Sequence, residues 1–311
     1  MLPLIEIEGF KVSFTLLWVR DDTPFLGKVA KDVVLLVPIY NTTRRCWKVF
    51  ERALYRLDPQ PEKVIFCENN SVDNTLELIE KFQLPHEVIR IWFKEDAAKG
   101  QPYEPIANVR QLLLTRARTF GANIAIFLDD DCIPQDKDFI QRFLDDIYYD
   151  NNLDICGGSY TRDFPQETMV ATVWSIDAPI KDMPKGTVPI IKRGIAKEIR
   201  KARQFNLNVL GFKYQDYDEG KIYKATCTSA GALALSRKIL NDKRLNFVPI
   251  RHDLAKQEEG ASEDFGFCLL AGSLGYSVHL DFRIKFAHLG AMSNETAKNR
   301  PWATYVKDFK Y

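Results

Sequence analysis

The feature that most constrains the fold of this chain is a series of short apolar runs that alternate with segments of helical periodicity. The clearest run covers residues 33–38, contains no charged residue and ends in Pro38. An unbroken run of this length is typical of a strand that is buried on both faces. Further strands are predicted over 63–67, 87–93 and 124–128, with helices over 44–57, 75–82 and 106–120 between them. This alternation predicts right-handed crossovers and an α/β fold, in which a mostly parallel sheet is flanked by helices.

The second half of the chain is less regular than the first. Strands are predicted over 154–159, 225–235 and 276–280 and a helix over 265–275, whereas most of 160–225 has no clean period. We therefore divide the chain into an N-terminal extension at 1–31, a regular half at 32–164 and an elaborated half at 165–311.

Composition excludes several broad classes of function. The chain has 43 Lys+Arg against 42 Asp+Glu, so it lacks an overall positive field and generic nucleic-acid binding is disfavoured. Hydrophobic residues make up 46% of the chain, enough for a sizeable core. No run approaches the roughly 18 apolar residues of a membrane span, and the acidic start does not predict a signal peptide. We expect a cytoplasmic protein without a transmembrane segment, for which peripheral membrane association stays open.

The cysteines are dispersed and show no zinc-type spacing. In that pattern they are predicted to be buried thiols in a reducing compartment. The six are Cys46, Cys67, Cys132, Cys156, Cys227 and Cys268.

Three successive carboxylates, Asp129, Asp130 and Asp131, follow the predicted strand at 124–128. Like charges this close repel one another and raise each other's pKa, so a cation is expected beside them. Mg²⁺ and Mn²⁺ prefer oxygen ligands, and open α/β sheets bind ligands beyond the carboxyl ends of their strands. The triplet therefore predicts a divalent-metal site; an Asp-rich turn that caps the next helix is the alternative.

Two later features carry side chains suited to catalysis or metal binding. Glu263 and Asp264 open the predicted helix, where they are either caps or the source of a general base for an acceptor hydroxyl. His288 follows a strand-like segment and is one of four histidines. Imidazole suits Mn²⁺-like ions beside carboxylates, although a lone histidine is commonly structural.

Polar residues also follow the first two predicted strands. Tyr40 and Asn41 end the first, and a turn from Glu68 to Asn74 follows the second. Short polar side chains at these strand ends suit a nucleoside, with Glu68 or Asp73 reaching the ribose or the base. Turn chemistry is the alternative, and for Asp73 and Asn74 it is the favoured one.

Taken in order, these features resemble the metal-dependent GT-A glycosyltransferases, and most closely their family 2. Residues 33–41 resemble the first strand of the family with its Pro-x-Tyr-Asn ending, and 64–75 resemble the second strand and its acidic turn. Asn108 and Arg110 resemble the element that opens the helix before the metal motif, and 129–131 match the Asp-x-Asp motif. Residues 229–235 resemble the acceptor-side strand, followed by the Glu-Asp motif at 263–264 and the late His288. The resemblance covers about 32–164 and 225–291.

The resemblance implies a GT-A (Rossmann-like) fold in which 32–164 bind a nucleotide sugar and 165–311 bind the acceptor. It implies transfer of a sugar from a UDP- or GDP-sugar to a hydroxyl of a carbohydrate, lipid-linked or protein glycan acceptor. Inversion at the anomeric carbon is favoured, and retention stays open. The cofactor would be Mn²⁺ or Mg²⁺.

The resemblance also implies roles for individual residues. Asp264 would be the general base, with Glu263 beside it. The metal ligands would be Asp131 and His288, with Asp129 either a further ligand or a contact to the ribose. The donor-binding residues would be Pro38, Tyr40, Asn41, Glu68, Asn70, Arg110, Asp129 and Asp130.

Two other functions stay open at this point. A nucleotidyltransferase that makes sugar nucleotides would want a Gly-rich phosphate loop after the first strand, and residues 38–44 contain no glycine. A nucleotide-sugar-binding protein that has lost catalysis conflicts with the presence of Asp129, Asp131, Asp264 and His288.

Overall fold

The structure is a computed structural model that describes residues 5–7, 10–20, 27–42, 46–93, 104–161, 222–225, 227–247 and 263–288. The predicted segment without a clean period therefore lies almost entirely outside the described residues. The strands are β1 (Ile5–Ile7), β2 (Phe10–Arg20), β3 (Val29–Ile39), β4 (Gln60–Asn69), β5 (His86–Trp92), β6 (Ile124–Leu128), β7 (Cys132–Pro134), β8 (Ile155–Thr161), β9 (Ile222–Ala225), β10 (Ala232–Ser236) and β11 (Val278–His288). The helices are α1 (Trp47–Tyr55), α2 (Thr75–Glu80), α3 (Glu104–Phe120), α4 (Phe139–Leu144), α5 (Arg237–Asn241) and α6 (Glu263–Ser273), and a π-helical turn (Asp145–Tyr149) follows α4.

All the described strands belong to one sheet, with the order β1-β2-β5-β4-β3-β6-β10-β8-β11-β7 and with β9 paired to β11. Strands β5, β4, β3 and β6 are parallel neighbours. Strand β10 lies antiparallel between β6 and β8, and β8 pairs in parallel with β11. Six strands therefore run in one direction, namely β3, β4, β5, β6, β8 and β11. The structure confirms the predicted fold class, a mixed α/β fold whose central sheet consists mostly of parallel strands flanked by helices.

Helices cover both faces of the central strands, which is why those strands are apolar without alternation. On one face the sheet packs against α3 and α6, and on the other against α1, α2 and α4. The first face includes Leu36, Cys67, Phe127, Leu113 and Phe267, and the second includes Val37, Phe66, Leu128, Phe50 and Phe139. Alternate residues of one strand therefore pack against different helix layers.

The structure adds two strands at 1–31 and corrects the prediction at 225–235. Residues 1–31, predicted as an extension, contribute β1 and β2, and β2 pairs antiparallel with β5 at the edge of the sheet. The single strand predicted at 225–235 is wrong, because the chain forms β9 and β10 with a turn between them. Strand β9 lies at the edge beside β11, whereas β10 lies in the centre between β6 and β8.

The predicted burial of the cysteines as free thiols is confirmed, since all six are free and buried. Among the helices of the described ranges, none combines the length and apolar character that a membrane span requires.

Candidate active site

The aspartate triplet lies in a tight turn between β6 and β7, at the carboxyl end of the parallel strands. Asp129 donates its backbone N–H to the carbonyl of Gly231 over 3.0 Å, and Cys132 donates its N–H to the carbonyl of Asp129 over 2.9 Å. The close approach of the Gly231 backbone has a steric reason. A Cβ atom there would lie 3.0 Å from Cys132 Sγ and 3.3 Å from Asp129 Oδ2. The turn is therefore held by backbone bonds that need a small residue in the neighbouring loop.

The antiparallel pairing of β7 with β11 brings His288 to the triplet. His288 pairs in register with Cys132, and its Nε2 atom lies 3.6 Å from Asp131 Oδ1. One donor atom each from Asp131, Cys132 and His288 lies within 4.8 Å of the others. The structure thus places His288 beside Asp131, the carboxylate with which the resemblance groups it, although 157 residues separate the two along the chain.

This cluster fits a divalent ion held by oxygen and nitrogen. Two donor atoms at about 2.1 Å from one ion are at most about 4.2 Å apart, and the distance between Asp131 and His288 is within that limit. Burial, with the charges of Asp131 and Asp129, raises the pKa of the Cys132 thiol well above its ordinary value. Cys132 is therefore neutral and a poor ligand for a hard cation. Asp131 and His288 are the better pair, with Asp129 next to them.

The guanidinium of Arg110, on α3, lies at the centre of the site and is 4% exposed. Its Nε donates to Glu263 Oε1 over 2.8 Å, and its Nη1 donates to the carbonyl of Ala230 over 3.0 Å. Its Nη2 lies 2.9 Å from Asp129 Oδ1 and 3.0 Å from Asp129 Oδ2. One side chain therefore joins the triplet turn, the loop before β10 and the first turn of α6.

Asp264 lies on the other side of the same loop. Its Oδ2 accepts from the N–H of Ala230 over 3.3 Å, and its Oδ1 accepts from the N–H of Phe265 over 2.8 Å. Both Glu263 and Asp264 are buried, at 4% and 8% exposure. The peptide of Ala230 is thus bonded at its N–H by Asp264 and at its carbonyl by Arg110.

Burial and crowding of charge shift the pKa values of this cluster. Burial raises the pKa of Glu263 to about 7, assisted by the charge of Asp264 and opposed by Arg110. Burial also raises the pKa of Asp129, which Arg110 lowers and Asp131 raises. Burial alone would lower the pKa of Arg110, but Asp129 and Glu263 outweigh it, so the guanidinium is a permanent cation. The mutual repulsion expected from the aspartate triplet is therefore present, and Arg110 offsets part of it.

The ends of β3 and β4 are joined by side-chain bonds. Asn41 has a positive φ of 47° and donates its N–H to Ser71 Oγ over 3.0 Å. Its Oδ1 accepts from the N–H of Val72 over 2.9 Å. Tyr40 is 45% exposed at this edge, whereas Pro38 lies within β3, paired with Cys67.

Glu68 and Asn70 are occupied by protein partners. Glu68 is fully buried; its Oε1 accepts from the N–H of Ser71, and its Oε2 lies 2.7 Å from Arg90 Nε. Asn70 has a positive φ of 52° and exchanges two 2.8 Å hydrogen bonds with the backbone of Phe93. Both residues therefore hold the strand ends in place, and a direct bond to a nucleoside would require one of these partners to be exchanged.

The structure brings together most of the predicted residues, but Asp130 differs from its neighbours. It is 4% exposed, and its carbonyl accepts from the thiol of Cys46 on the α1 side of the sheet. Sequence reasoning missed Ala230, whose role is carried by its backbone and has no side-chain signal. It also missed Gly231, although the run of small residues at 229–234 was visible.

The profile of one known family matches this sequence over much of the site. The glycosyl transferase family 2 profile matches residues 34–228, more than half of the chain, from within β3 to Thr228. The chain belongs to glycosyl transferase family 2. The matched range includes Arg110 and the aspartate triplet, whereas Glu263, Asp264 and His288 lie beyond it. Their grouping with the triplet rests on the contacts described above.

Solved structures with a similar fold are distant in sequence. Residues 1–349 of TarS from S. aureus have 15% identity and a TM-score of 0.45, with 82% of this chain and 59% of that chain covered. The same TarS fragment in complex with UDP has 16% identity and a TM-score of 0.46. Glucosyl-3-phosphoglycerate synthase from Mycobacterium tuberculosis, in complex with Mn²⁺, UDP and phosphoglyceric acid, has 13% identity and a TM-score of 0.38, with 89% of this chain and 74% of that chain covered. This chain thus spans about three fifths of the TarS fragment. No match was found among curated proteins.

Proposed function

We propose that this chain transfers a sugar from a nucleotide-diphosphate-sugar to a hydroxyl of an acceptor, with Mn²⁺ or Mg²⁺ as the cofactor. One observation carries the proposal. In a member of glycosyl transferase family 2, carboxylates from the triplet turn and from α6 converge on one edge of the sheet, where Asp131 and His288 have the spacing of two ligands of one ion.

Asp131 and His288 would hold the metal, with Asp129 beside them. A bound divalent ion supplies Lewis-acid stabilisation of the negative charge that develops on a diphosphate leaving group. Three carboxylates, those of Asp129, Glu263 and Asp264, interact with the guanidinium of Arg110, and Asp131 acts on Asp129. These carboxylates outnumber Arg110, and a divalent cation would offset the excess of negative charge. Arg110 already occupies one edge of Asp129, which leaves Asp131 as the principal carboxylate ligand.

Asp264 is the better candidate for the general base. Glu263 accepts a charge-assisted bond from Arg110, whereas Asp264 accepts bonds from the backbone N–H groups of Ala230 and Phe265. Each carboxylate oxygen has a second lone pair, so these backbone bonds orient Asp264 and leave it able to take a proton. Removal of the acceptor proton as the hydroxyl attacks the anomeric carbon directly would invert the configuration.

The donor nucleoside would lie at the ends of β3, β4 and β5. Tyr40 and Trp92 are 45% and 50% exposed there, and Arg90 lies 4.0 Å above the Trp92 ring. Aromatic faces of this kind stack on bases. Asn41, Glu68 and Asn70 would act by holding these strand ends in shape rather than through a new contact of their own.

The test is turnover of defined donors. The purified protein would be incubated with a panel of UDP- and GDP-sugars and simple acceptors, with Mn²⁺, with Mg²⁺ or with EDTA, and the release of nucleotide diphosphate would be measured. Metal-dependent release is expected. Release of pyrophosphate from a nucleoside triphosphate and a sugar phosphate would instead show a nucleotidyltransferase, and metal-dependent binding without turnover would show a binding protein.

Two variants test the assigned roles. Asp264→Asn should reduce kcat by about 10²–10⁴-fold with donor affinity retained, because general-base catalysis contributes about that much. His288→Ala should weaken Mn²⁺ binding, which calorimetry measures without turnover. The control is Asp150→Asn, which changes an exposed carboxylate on the surface. Loss of donor affinity in Asp264→Asn with kcat intact, or an unchanged Mn²⁺ titration in His288→Ala, would remove the respective assignment.

A further inference from the structure

We propose that Arg110 is a positioning residue, which fixes the general base to the metal-binding turn and does not itself hold the donor. The inference rests on the proposed function and assigns Arg110 a different role from the donor contact that the family resemblance implies.

The first argument is that each nitrogen of the Arg110 guanidinium already has a protein acceptor. All three nitrogens of the guanidinium have a protein acceptor at 2.8–3.0 Å, and the residue is 4% exposed. A donor phosphate would have to displace one of these acceptors or bind the few N–H groups that remain. An arginine that binds a diphosphate needs an open fork of two N–H groups, and in this site the fork of Arg110 is occupied by Asp129 and Ala230.

The second argument is that the acceptors come from three separate segments. Asp129, Ala230 and Glu263 are 19, 120 and 153 residues from Arg110 along the chain. Asp129 belongs to the turn that carries the metal ligand Asp131, and Glu263 precedes Asp264 at the start of α6. The side chain of Arg110 therefore links the metal side of the site to the base side, in addition to the backbone bond between Asp129 and Gly231.

The third argument concerns the peptide of Ala230. Arg110 bonds its carbonyl, and Asp264 bonds its N–H. Movement of the guanidinium would shift this peptide and with it one of the two backbone bonds that orient the base. Since a misplacement of about 1 Å can reduce a rate about 10²-fold, the bridge is expected to act on kcat.

The experiment compares Arg110→Lys and Arg110→Ala with the wild-type protein. Lysine keeps the charge, but its single ammonium cannot reach three acceptors in the planar geometry of arginine. We expect both variants to lower kcat about 10²-fold, with donor affinity, measured by calorimetry with the nucleotide diphosphate and Mn²⁺, changed by less than about 3-fold. Guanidinium ion at low, non-denaturing concentration should restore part of the kcat of Arg110→Ala.

Arg118 on the same helix provides a matched control. It is a partly buried arginine whose N–H groups donate to the carbonyls of Leu240, Asp242 and Leu245 over 2.8–2.9 Å, remote from the triplet. Arg118→Ala should lower stability, but guanidinium should not change its kcat. This separates a positioning effect from a general loss of packing.

The coupling can also be measured directly. If Arg110 acts through Glu263, the loss of kcat in Arg110→Lys combined with Glu263→Gln should be far smaller than the product of the two single losses. The proposal is overturned if Arg110→Lys weakens donor binding 10-fold or more at unchanged kcat. It is also overturned if the double variant is multiplicative and guanidinium gives no rescue.

Hydrogen exchange keeps this test separate from the test of the proposed function. In the absence of any substrate, Arg110→Lys should speed amide exchange both at 129–132 and at 263–268, whereas Arg118→Ala should not. Unchanged exchange at α6 would refute the bridge even if the enzyme were active. Absence of turnover in the wild-type protein would refute the proposed function while leaving the bridge supported by exchange.

Discussion

A buried pair of carboxylates remote from the site allows a prediction with a defined sign and magnitude. Asp146, in the π-helical turn, and Asp281, on β11, are both fully buried. Arg283 Nη2 lies 2.6 Å from Asp146 Oδ1 and 2.8 Å from Asp281 Oδ2. Burial, with the hydrogen bond and charge of Asp281, raises the pKa of Asp146 from 3.8 to about 7, against the opposing effect of Arg283.

The sign follows from proton binding. Between about pH 4 and pH 7 the native state holds a proton on Asp146 that the unfolded chain has lost, so this group lowers the free energy of unfolding as pH rises. The stabilisation that comes from the proton on Asp146 is fully present below about pH 4 and is lost above about pH 7. A pKa difference of about three corresponds to about 4 kcal/mol at ~1.36 kcal/mol per pKa unit.

Asp146→Asn removes the titration while keeping the shape of the side chain. Its amide oxygen can still accept from Arg283 and Asn151, and its NH₂ can donate to Asp281. We expect the variant to unfold at higher urea than the wild type at pH 8, by about 4 kcal/mol in free energy. The difference should fall to about 2 kcal/mol at pH 5, which lies between the two pKa values, and should vanish below about pH 4.

The assay is urea unfolding followed by circular dichroism at several pH values, read as the difference between variant and wild type, because other carboxylates contribute equally to both. The control is Asp150→Asn, which removes an exposed carboxylate from the same segment. If the difference between Asp146→Asn and the wild type is the same at pH 5 and pH 8, the native state does not hold a proton on Asp146 in that range and the reasoning is refuted.

Two further predictions concern the site. Gly231→Ala should lower the free energy of unfolding by about 1–3 kcal/mol and reduce activity, because its Cβ would crowd Asp129; Gly272→Ala, which has open space in α6, should be neutral or stabilising in the same urea titration. Equal effects of the two alanines would contradict the steric argument. Glu68→Gln should weaken nucleotide binding in calorimetry about 5–10-fold, because it loses the charge of a buried pair with Arg90 that orders the strand end; unchanged affinity would show that the pair is dispensable.

Much of the first half of the fold was predictable because burial on both faces has a sequence signature. The run at 33–38 and the run at 124–128 identify β3 and β6, and the predicted helix 106–120 matches α3 within two residues. Its C-terminal end is followed by Gly121 with a positive φ of 83°, the conformation that favours glycine after a helix. The division of 225–235 into β9 and β10 was not predictable, because small apolar residues suit both a strand and a close-packed turn.

The candidate site was predictable as a set of residue types and not as a set of contacts. Asp131 and His288 were grouped from their order along the chain, but their distance is set by the antiparallel register of β7 with β11. Register depends on the packing of whole strands, which a local pattern does not contain. The ion pair between Glu68 and Arg90 could not be predicted for the same reason, because the pairing of β4 with β5 brings the two residues side by side.

The sequence by itself determined an α/β chain of family 2 with acidic residues at its strand ends, because apolar periodicity and motif order are local properties. Only the tertiary structure decided that Arg110 connects Asp129, Ala230 and Glu263, that the Ala230 peptide is held from both sides, and that Asp264 is oriented by backbone. These contacts join segments between 19 and 153 residues apart along the chain. They form because the two helix layers and the sheet bury them together, where an arginine must find an acceptor for each of its donors.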